Sequence, residues 1–186
     1  MTDSSNMLNL LEDLLARAKA KGADAADAVH IESQSLAVAQ RLGNPEKLER
    51  SESADIGLRA LVGKRQAIVS SSDINPDALD ELVERVVAMA KSVPEDPYCG
   101  LAEPDQLATK FVDVDSCDPS EPTTETLVDW ANRAEESARA IEGITNSEGA
   151  EAGWGRATVC VAATNGFAQT YSGSHYSLSA SVLAGE

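Results

Sequence analysis

Few side chains in this 186-residue sequence are of the kinds that do chemistry. The two histidines are His30 and His175, and neither sits in the HExxH spacing that sets two imidazoles on one helix face around zinc. His30-Ile31-Glu32 places an imidazole and a carboxylate on one face of an extended strand, but two ligands do not complete a zinc site. The plain reading of His30 is a strand histidine near the surface. Cys99, Cys117 and Cys160 lack CxxC spacing. Cys160, between Val159 and Val161, reads as a small buried residue, and Cys99, between Tyr98 and Gly100, as an exposed one with no base beside it. Gly57 to Lys64 has the outline of a phosphate loop, but five residues separate Gly57 from Gly63, Arg65 stands where Ser or Thr would bind magnesium, and the stretch alternates like a strand. There is no GxSxG nucleophile elbow. The acidic pairs Glu135-Glu136 and Asp80-Glu81 read as solvated helix faces. The residues therefore nominate no catalytic, cofactor-binding or metal-ligating set.

Composition narrows the class further. With 31 Asp and Glu against 15 Lys and Arg, the net charge is −16, which repels nucleic-acid phosphate. The densest positive group, Arg59 with Lys64-Arg65, is too small for a nucleic-acid patch. The sparse, odd set of cysteines predicts reduced thiols in a cytoplasm. Glu12, Asp13 and Arg17 interrupt the first apolar run, so neither a signal peptide nor a membrane span is predicted. Hydrophobic residues make up 42% and aromatics only 4%, so the core must be aliphatic.

The elements follow from periodicity. Met7, Leu8, Leu11, Leu15 and Ala18 predict a helix over about 6–21 that Gly22 ends. Ala25–Glu32 and Ser35–Leu42 read as two tightly joined strands, with Gly43-Asn44-Pro45 as a loop. Ala54–Val62 alternates, Gly63-Lys64 supplies a type II′ hairpin turn, and Ala67 and Val69 continue the buried face. Asn75 and Pro76 open a second helix with the stripe Leu79, Leu82, Val83, Val86, Val87 and Ala90. Residues 93–122 hold five of the seven prolines and read as an acidic linker or ordered loop, with one helical turn near 105–108. A third helix starts at Thr123 or Thr124, with the stripe Leu127, Ala131, Ala134, Ala138 and Ile141. Thr158–Thr164 and Phe167–Tyr171 flank the Asn165-Gly166 hairpin. A last strand sets Tyr176, Leu178, Ala180 and Val182 against Ser177, Ser179 and Ser181. The serine face is either an exposed sheet face or a smooth surface that another backbone can approach closely.

The expected fold is α+β, with two halves that each follow a helix with about four antiparallel strands, residues 1–92 (where the helix at 76–91 trails the strands) and 123–186, joined by 93–122. A duplication and one continuous sheet are both open. Because residue 186 follows a strand with no closing element, the chain is expected to be a fragment whose last strand is an open edge capable of self-association.

Several runs together resemble the TldD/PmbA family. They are Gly22-Ala23-Asp24-Ala25-Ala26, Ile56-Gly57-Leu58-Arg59, the Ser-Ser-Asp of residues 71–73, Asp96 to Ala102, Ile144 to Gly149, and Thr164-Asn165-Gly166-Phe167. The pattern is closer to the TldE/PmbA branch, known also as modulator of DNA gyrase, than to TldD. The resemblance implies an N-terminal part of a non-catalytic subunit that assembles with a zinc-bearing TldD-like partner to cleave unstructured peptides. No cofactor is implied on this part; the zinc belongs to the partner. Two rivals stay open: a regulatory binding protein with no role in proteolysis, and the N-terminal half of a TldD-like metalloprotease.

Overall fold

The structure, a computed structural model, describes residues 4–185. Helix α1 (Ser4–Ala20) buries Leu11, Leu14, Leu15 and Ala18 at helical spacing. It ends where the sequence predicts: Gly22 takes φ +101°, and the amides of Gly22 and Ala23 reach back to the carbonyls of Lys19 and Ala18, each at 3.0 Å. Strands β1 (Ala25–Arg41), β2 (Asn44–Val62) and β3 (Arg65–Ser71) form a meander, followed by helix α2 (Pro76–Ser92). Helix α3 (Thr124–Arg139) then leads into β4 (Ile144–Ala163) and β5 (Ala168–Ala184). All five strands form one sheet in the order β3-β2-β1-β4-β5. The pairing of β1 with β4 is antiparallel, since Thr164 bonds to Ala26 at one end and Arg41 to Ser147 at the other.

The α+β class is as expected, but the strands are longer and fewer. The two strands expected over 25–42 are one, because Ser33, Gln34 and Ser35 bring no Gly, Pro, Asn or Asp to break the strand and the inward parity of Ala26 and Ala28 carries through to Leu36 and Val38. The expected loop at 43–45 shrinks to a turn at Leu42-Gly43, both at positive φ (51° and 75°), and Asn44 and Pro45 already belong to β2. Strand β4 begins at Ile144, well before the expected Thr158, and β5 is one strand through both segments read separately. The first part of the chain thus contributes three strands and the second two, in place of about four each. Both hairpin turns lie where expected: Gly63-Lys64 joins β2 to β3 with Val62 opposite Arg65, and Asn165-Gly166 lies between β4 and β5.

The fold packs as two compact units that share the long strands. One holds Met1–Glu32, Ser53–Val114 and Thr158–Tyr171; the other Ser33–Glu52, Asp115–Ala157 and Ser172–Glu186. In the first, α1 and α2 cover Ala26 and Ala28 of β1, Ile56, Leu58 and Ala60 of β2, Ala67 of β3, and Cys160 and Ala162 of β4. The whole predicted stripe of α2 is buried there. Each fully buried leucine contributes about 2 kcal/mol by removal from water, so this aliphatic core needs no aromatic ring. In the second unit, Leu127 and Ala131 of α3 pack on Leu36, Val38, Ala150, Ala152 and Trp154. Thr123 caps α3 by accepting from the Thr126 amide at 3.2 Å. The predicted stripe fails at its end: the helix stops at Arg139, so Ile141 lies beyond it and is 63% exposed.

The proline-rich segment makes specific contacts. Its one helical turn is Pro104–Gln106, one residue earlier than expected, closed by reciprocal bonds of Glu103 and Gln106. In the first unit, Asn165 donates to the Ala102 carbonyl at 2.9 Å and Phe111 meets Phe167 edge to face. In the second, the Ser174 amide donates to the Ser116 carbonyl at 2.9 Å, the Ser116 hydroxyl donates to the Ser172 carbonyl at 2.8 Å, and the Tyr176 hydroxyl bonds to Asp118 and to the Ser120 carbonyl, each at 3.2 Å. The segment is therefore held at several points, by the Lys64-Arg65 turn near its start and by β5 at residues 116–120, and is an ordered strap.

Candidate functional site

The residues singled out for chemistry are dispersed. His30 is not near the surface: it shares the inward parity of Ala26 and Ala28 and is 2% exposed. Cys99, expected to be exposed, is buried, its carbonyl accepting from Lys64 Nζ at 3.4 Å. Cys160 is buried mid-strand as expected, and Thr170 Oγ1 donates to its sulfur at 3.3 Å. Asp80 and Glu81 are exposed as expected, Asp80 accepting from Arg17 at 2.9 Å. Residues 57–62 are strand, in keeping with rejection of a phosphate loop. Among the described residues no group of three or more His, Cys, Asp or Glu is placed to hold a metal ion.

Glu135 is the clearest departure from expectation. In place of a solvated carboxylate, it is 2% exposed in the α3 core face, where Leu127, Ala131 and Glu135 recur every four residues. It accepts from the Leu42 amide through both oxygens, at 3.0 and 2.9 Å, and from the Ser147 hydroxyl, which in turn accepts from the Gly149 amide at 2.9 Å. Burial pushes its pKa up, but the Leu42 amide, the Ser147 hydroxyl, the Arg139 charge and the Gly43 amide outweigh that and hold it below 4.5. The carboxylate thus anchors the left-handed Leu42-Gly43 turn to α3 and β4.

The other side of β4 and β5 in this unit is smooth. Ser147 faces Glu135 on α3, and Ala150 belongs to the α3 core, although strict alternation forbids residues three apart from sharing a face. An extra residue is accommodated at Gly149, whose φ of +102° marks a bulge. The bulge sets the exposed Glu148 and Glu151 on one side, where they line a 260 Å³ pocket with Glu46, Gln40, Ser179 and Ser181. Farther along, a Cβ on Gly153 would fall 2.7 Å from Ser177 Oγ, and one on Gly155 would collide with the His175 ring. The glycines of β4 therefore make room for the side chains of the serine face of β5. Across α3 lies a more apolar groove of about 350 Å³, between Trp130, Arg133, Ala134 and Ser137 and Leu178 of β5.

Among the described residues no acid–base pair or activated nucleophile emerges from this geometry. Residues 26–90 match the family profile described as PmbA/TldA metallopeptidase domain 1, and 117–186 the profile described as PmbA/TldA metallopeptidase central domain. The chain belongs to the TldD/PmbA family. As a family member it is 29% identical over 173 residues to the metalloprotease PmbA of Escherichia coli O157:H7, matching 92% of this chain and 38% of that protein. It is 31% identical over 151 residues to a metalloprotease PmbA homolog of Haemophilus influenzae, matching 81% of this chain and 34% of that one. The family chain thus spans little more than a third of the length of these relatives. Its fold is that of a candidate modulator of DNA gyrase from Bacteroides thetaiotaomicron (TM-score 0.82, 19% identity, 99% of this chain and 42% of that one). It is also that of TldE from Thermococcus kodakarensis (TM-score 0.76, 16% identity, 95% and 40%). Among the described residues, no helix is long and apolar enough to cross a membrane.

Proposed function

We propose that this chain is the N-terminal part of a TldE/PmbA-like subunit that contributes no catalytic residues and works with a zinc-bearing TldD-like partner on unstructured peptides in the cytoplasm. The observation that carries this reading is the succession of two adjoining family domains, domain 1 at 26–90 and the central domain at 117–186. Both relatives are named metalloproteases, and they are more than twice as long as this chain, which leaves room outside it for metal ligands. The division into 1–92, a strap at 93–122 and 123–186 belongs to the same proposal. So does the absence of catalytic, cofactor or metal residues from this region: His30 is buried in one unit and His175 lies over Gly155 in the other.

The test is cleavage of an unfolded peptide by three samples: the 186-residue chain, a protein of the relatives' full length that contains it, and that protein mixed with a TldD-like partner. Turnover by the mixture alone, lost on chelation, is the expected result. Chelator-sensitive turnover by the 186-residue chain would overturn the proposal. Turnover by the longer protein alone would instead mark it as a TldD-like protease. An inactive mixture, with zinc shown on the partner, would favour a regulatory binding protein.

A further inference from the structure

We propose that Asn165 is a site of spontaneous deamidation, and that its conversion to a carboxylate loosens the strap from the β4–β5 turn. Of the seven asparagines in the chain, Asn165 alone precedes a glycine. A glycine brings no Cβ to the reacting bond, so its nitrogen can swing onto the neighbouring side-chain carbonyl carbon, Cγ. Gly166 sits at φ +93°, so the turn itself requires the residue that makes Asn165 labile. Water reaches the place: Gly166 is exposed, and so is the bond from Asn165 Nδ2 to the Ala102 carbonyl at 2.9 Å.

The step balances with hydroxide and water alone. Hydroxide takes the proton of the Gly166 amide, whose nitrogen attacks Cγ of Asn165. The Cγ–Nδ2 bond breaks, and Nδ2 leaves as ammonia with a proton returned from water. The cyclic imide so formed then takes up water. Opening at the side-chain carbonyl gives aspartate at 165, and opening at the main-chain carbonyl gives isoaspartate, with the chain routed through Cγ. An amide and a water become a carboxylic acid and ammonia, with nothing oxidised or reduced.

Three hydrogen bonds hold this reaction back, one on each atom it needs. The attacking Gly166 nitrogen donates to the Ala163 carbonyl at 3.1 Å. The side-chain oxygen Oδ1 accepts from the Phe167 amide at 3.2 Å. The leaving Nδ2 is held by Ala102. The first two bonds belong to the hairpin; the third belongs to the strap, which Phe111 also holds here against Phe167. The strap therefore sets the rate, and the product acts back on the strap. Aspartate at 165 has no Nδ2 to donate and sets carboxylate oxygens against the Ala102 carbonyl oxygen. It adds negative charge to a segment that, over 93–122, already carries eight Asp and Glu against the single cation Lys110. Isoaspartate also adds a backbone atom between Ala163 and Phe167, whose amide-to-carbonyl bond of 2.8 Å closes the hairpin. The conversion does not reverse, so the turn records the age of the molecule. This modification stands apart from the proteolytic proposal, and either can fail alone.

Ageing of the 186-residue chain at warm, mildly alkaline pH, followed by trypsin and mass spectrometry, tests it. The tryptic fragment that begins at Ala157 holds Asn165 as its one asparagine. It should gain the mass difference between an amide and an acid, as a mixture of aspartyl and isoaspartyl forms. Conversion should be faster in urea than in the folded chain, and about threefold or more faster in folded Phe111→Ala than in the unaltered protein. Brief trypsin treatment of the folded chain then reads the strap at the exposed Lys110. Asn165→Asp should be cut after Lys110 about threefold or more faster than the unaltered chain, and the same change at the exposed Asn44 should leave the rate as it was. No conversion at Asn165, equal rates in urea and in the fold, or a rate indifferent to Phe111→Ala would each overturn the proposal. So would cutting after Lys110 that Asn165→Asp does not speed, or that Asn44→Asp speeds equally.

Discussion

Glu135 concentrates several energetic roles in one side chain. Its replacement by alanine leaves the buried Ser147 hydroxyl and the amides of Leu42 and Gly43 in the turn without their acceptor, and removes the anchor of a non-glycine residue at positive φ. Glu135→Ala should lower unfolding free energy by about 3 kcal/mol in urea titration. A loss below about 0.5 kcal/mol would show that the turn holds itself. The pH dependence follows from the direction of the shift. A carboxyl held below 4.5 in the folded state stabilises fully above that value and loses the contribution as pH falls through the lower folded pKa. Urea unfolding free energies of wild type and Glu135→Gln should therefore differ at neutral pH and converge under acid conditions. The residue was legible in principle: a carboxylate four residues after Ala131 in an apolar stripe cannot be solvated on that stripe. Likewise His30 continues the parity of Ala26 and Ala28, but a lone histidine among strand residues gives no sign that its neighbours will be covered.

Secondary structure shows a similar mixture of the legible and the hidden. Turns with a local steric cause were readable, as at Gly22, Gly63-Lys64 and Asn165-Gly166. Strand length was not, because Ser33 to Ser35 and Ile144 to Ala157 depend on partners distant in the chain, whose ladder bonds override weak local preference. The bulge in β4 was also hidden, since its cause is the close approach of Gln40 to Gly149. A Cβ on Gly149 would fall 2.7 Å from the Gln40 carbonyl oxygen, at a φ of +102°. Gly149→Ala should cost about 1–3 kcal/mol by thermal or urea unfolding. Gly43→Ala, at positive φ but with no atom within 4 Å of its new Cβ, should cost about 1 kcal/mol. Equal losses at the two sites would show that crowding against β1 contributes nothing.

Across the whole molecule, each compact unit draws on three separate stretches of chain. That interleaving follows from strands of up to 20 residues, each long enough to serve both units. One expectation at this scale concerns metal. Refolded after chelation and dialysed against trace zinc, the 186-residue chain should hold far less than one equivalent by elemental analysis; a tightly held equivalent would sink the assignment of the zinc to a partner.

The charge along one side of the sheet has a consequence best put in the language of polymer chemistry. A subunit with two adhesive ends is a bifunctional monomer and adds without limit, whereas one with a single adhesive end is monofunctional and its chain growth terminates at the first addition. In these terms the stretch of β2 beyond β3, with Glu46, Lys47, Glu49, Arg50, Glu52 and Asp55, is a capped end at which addition does not propagate.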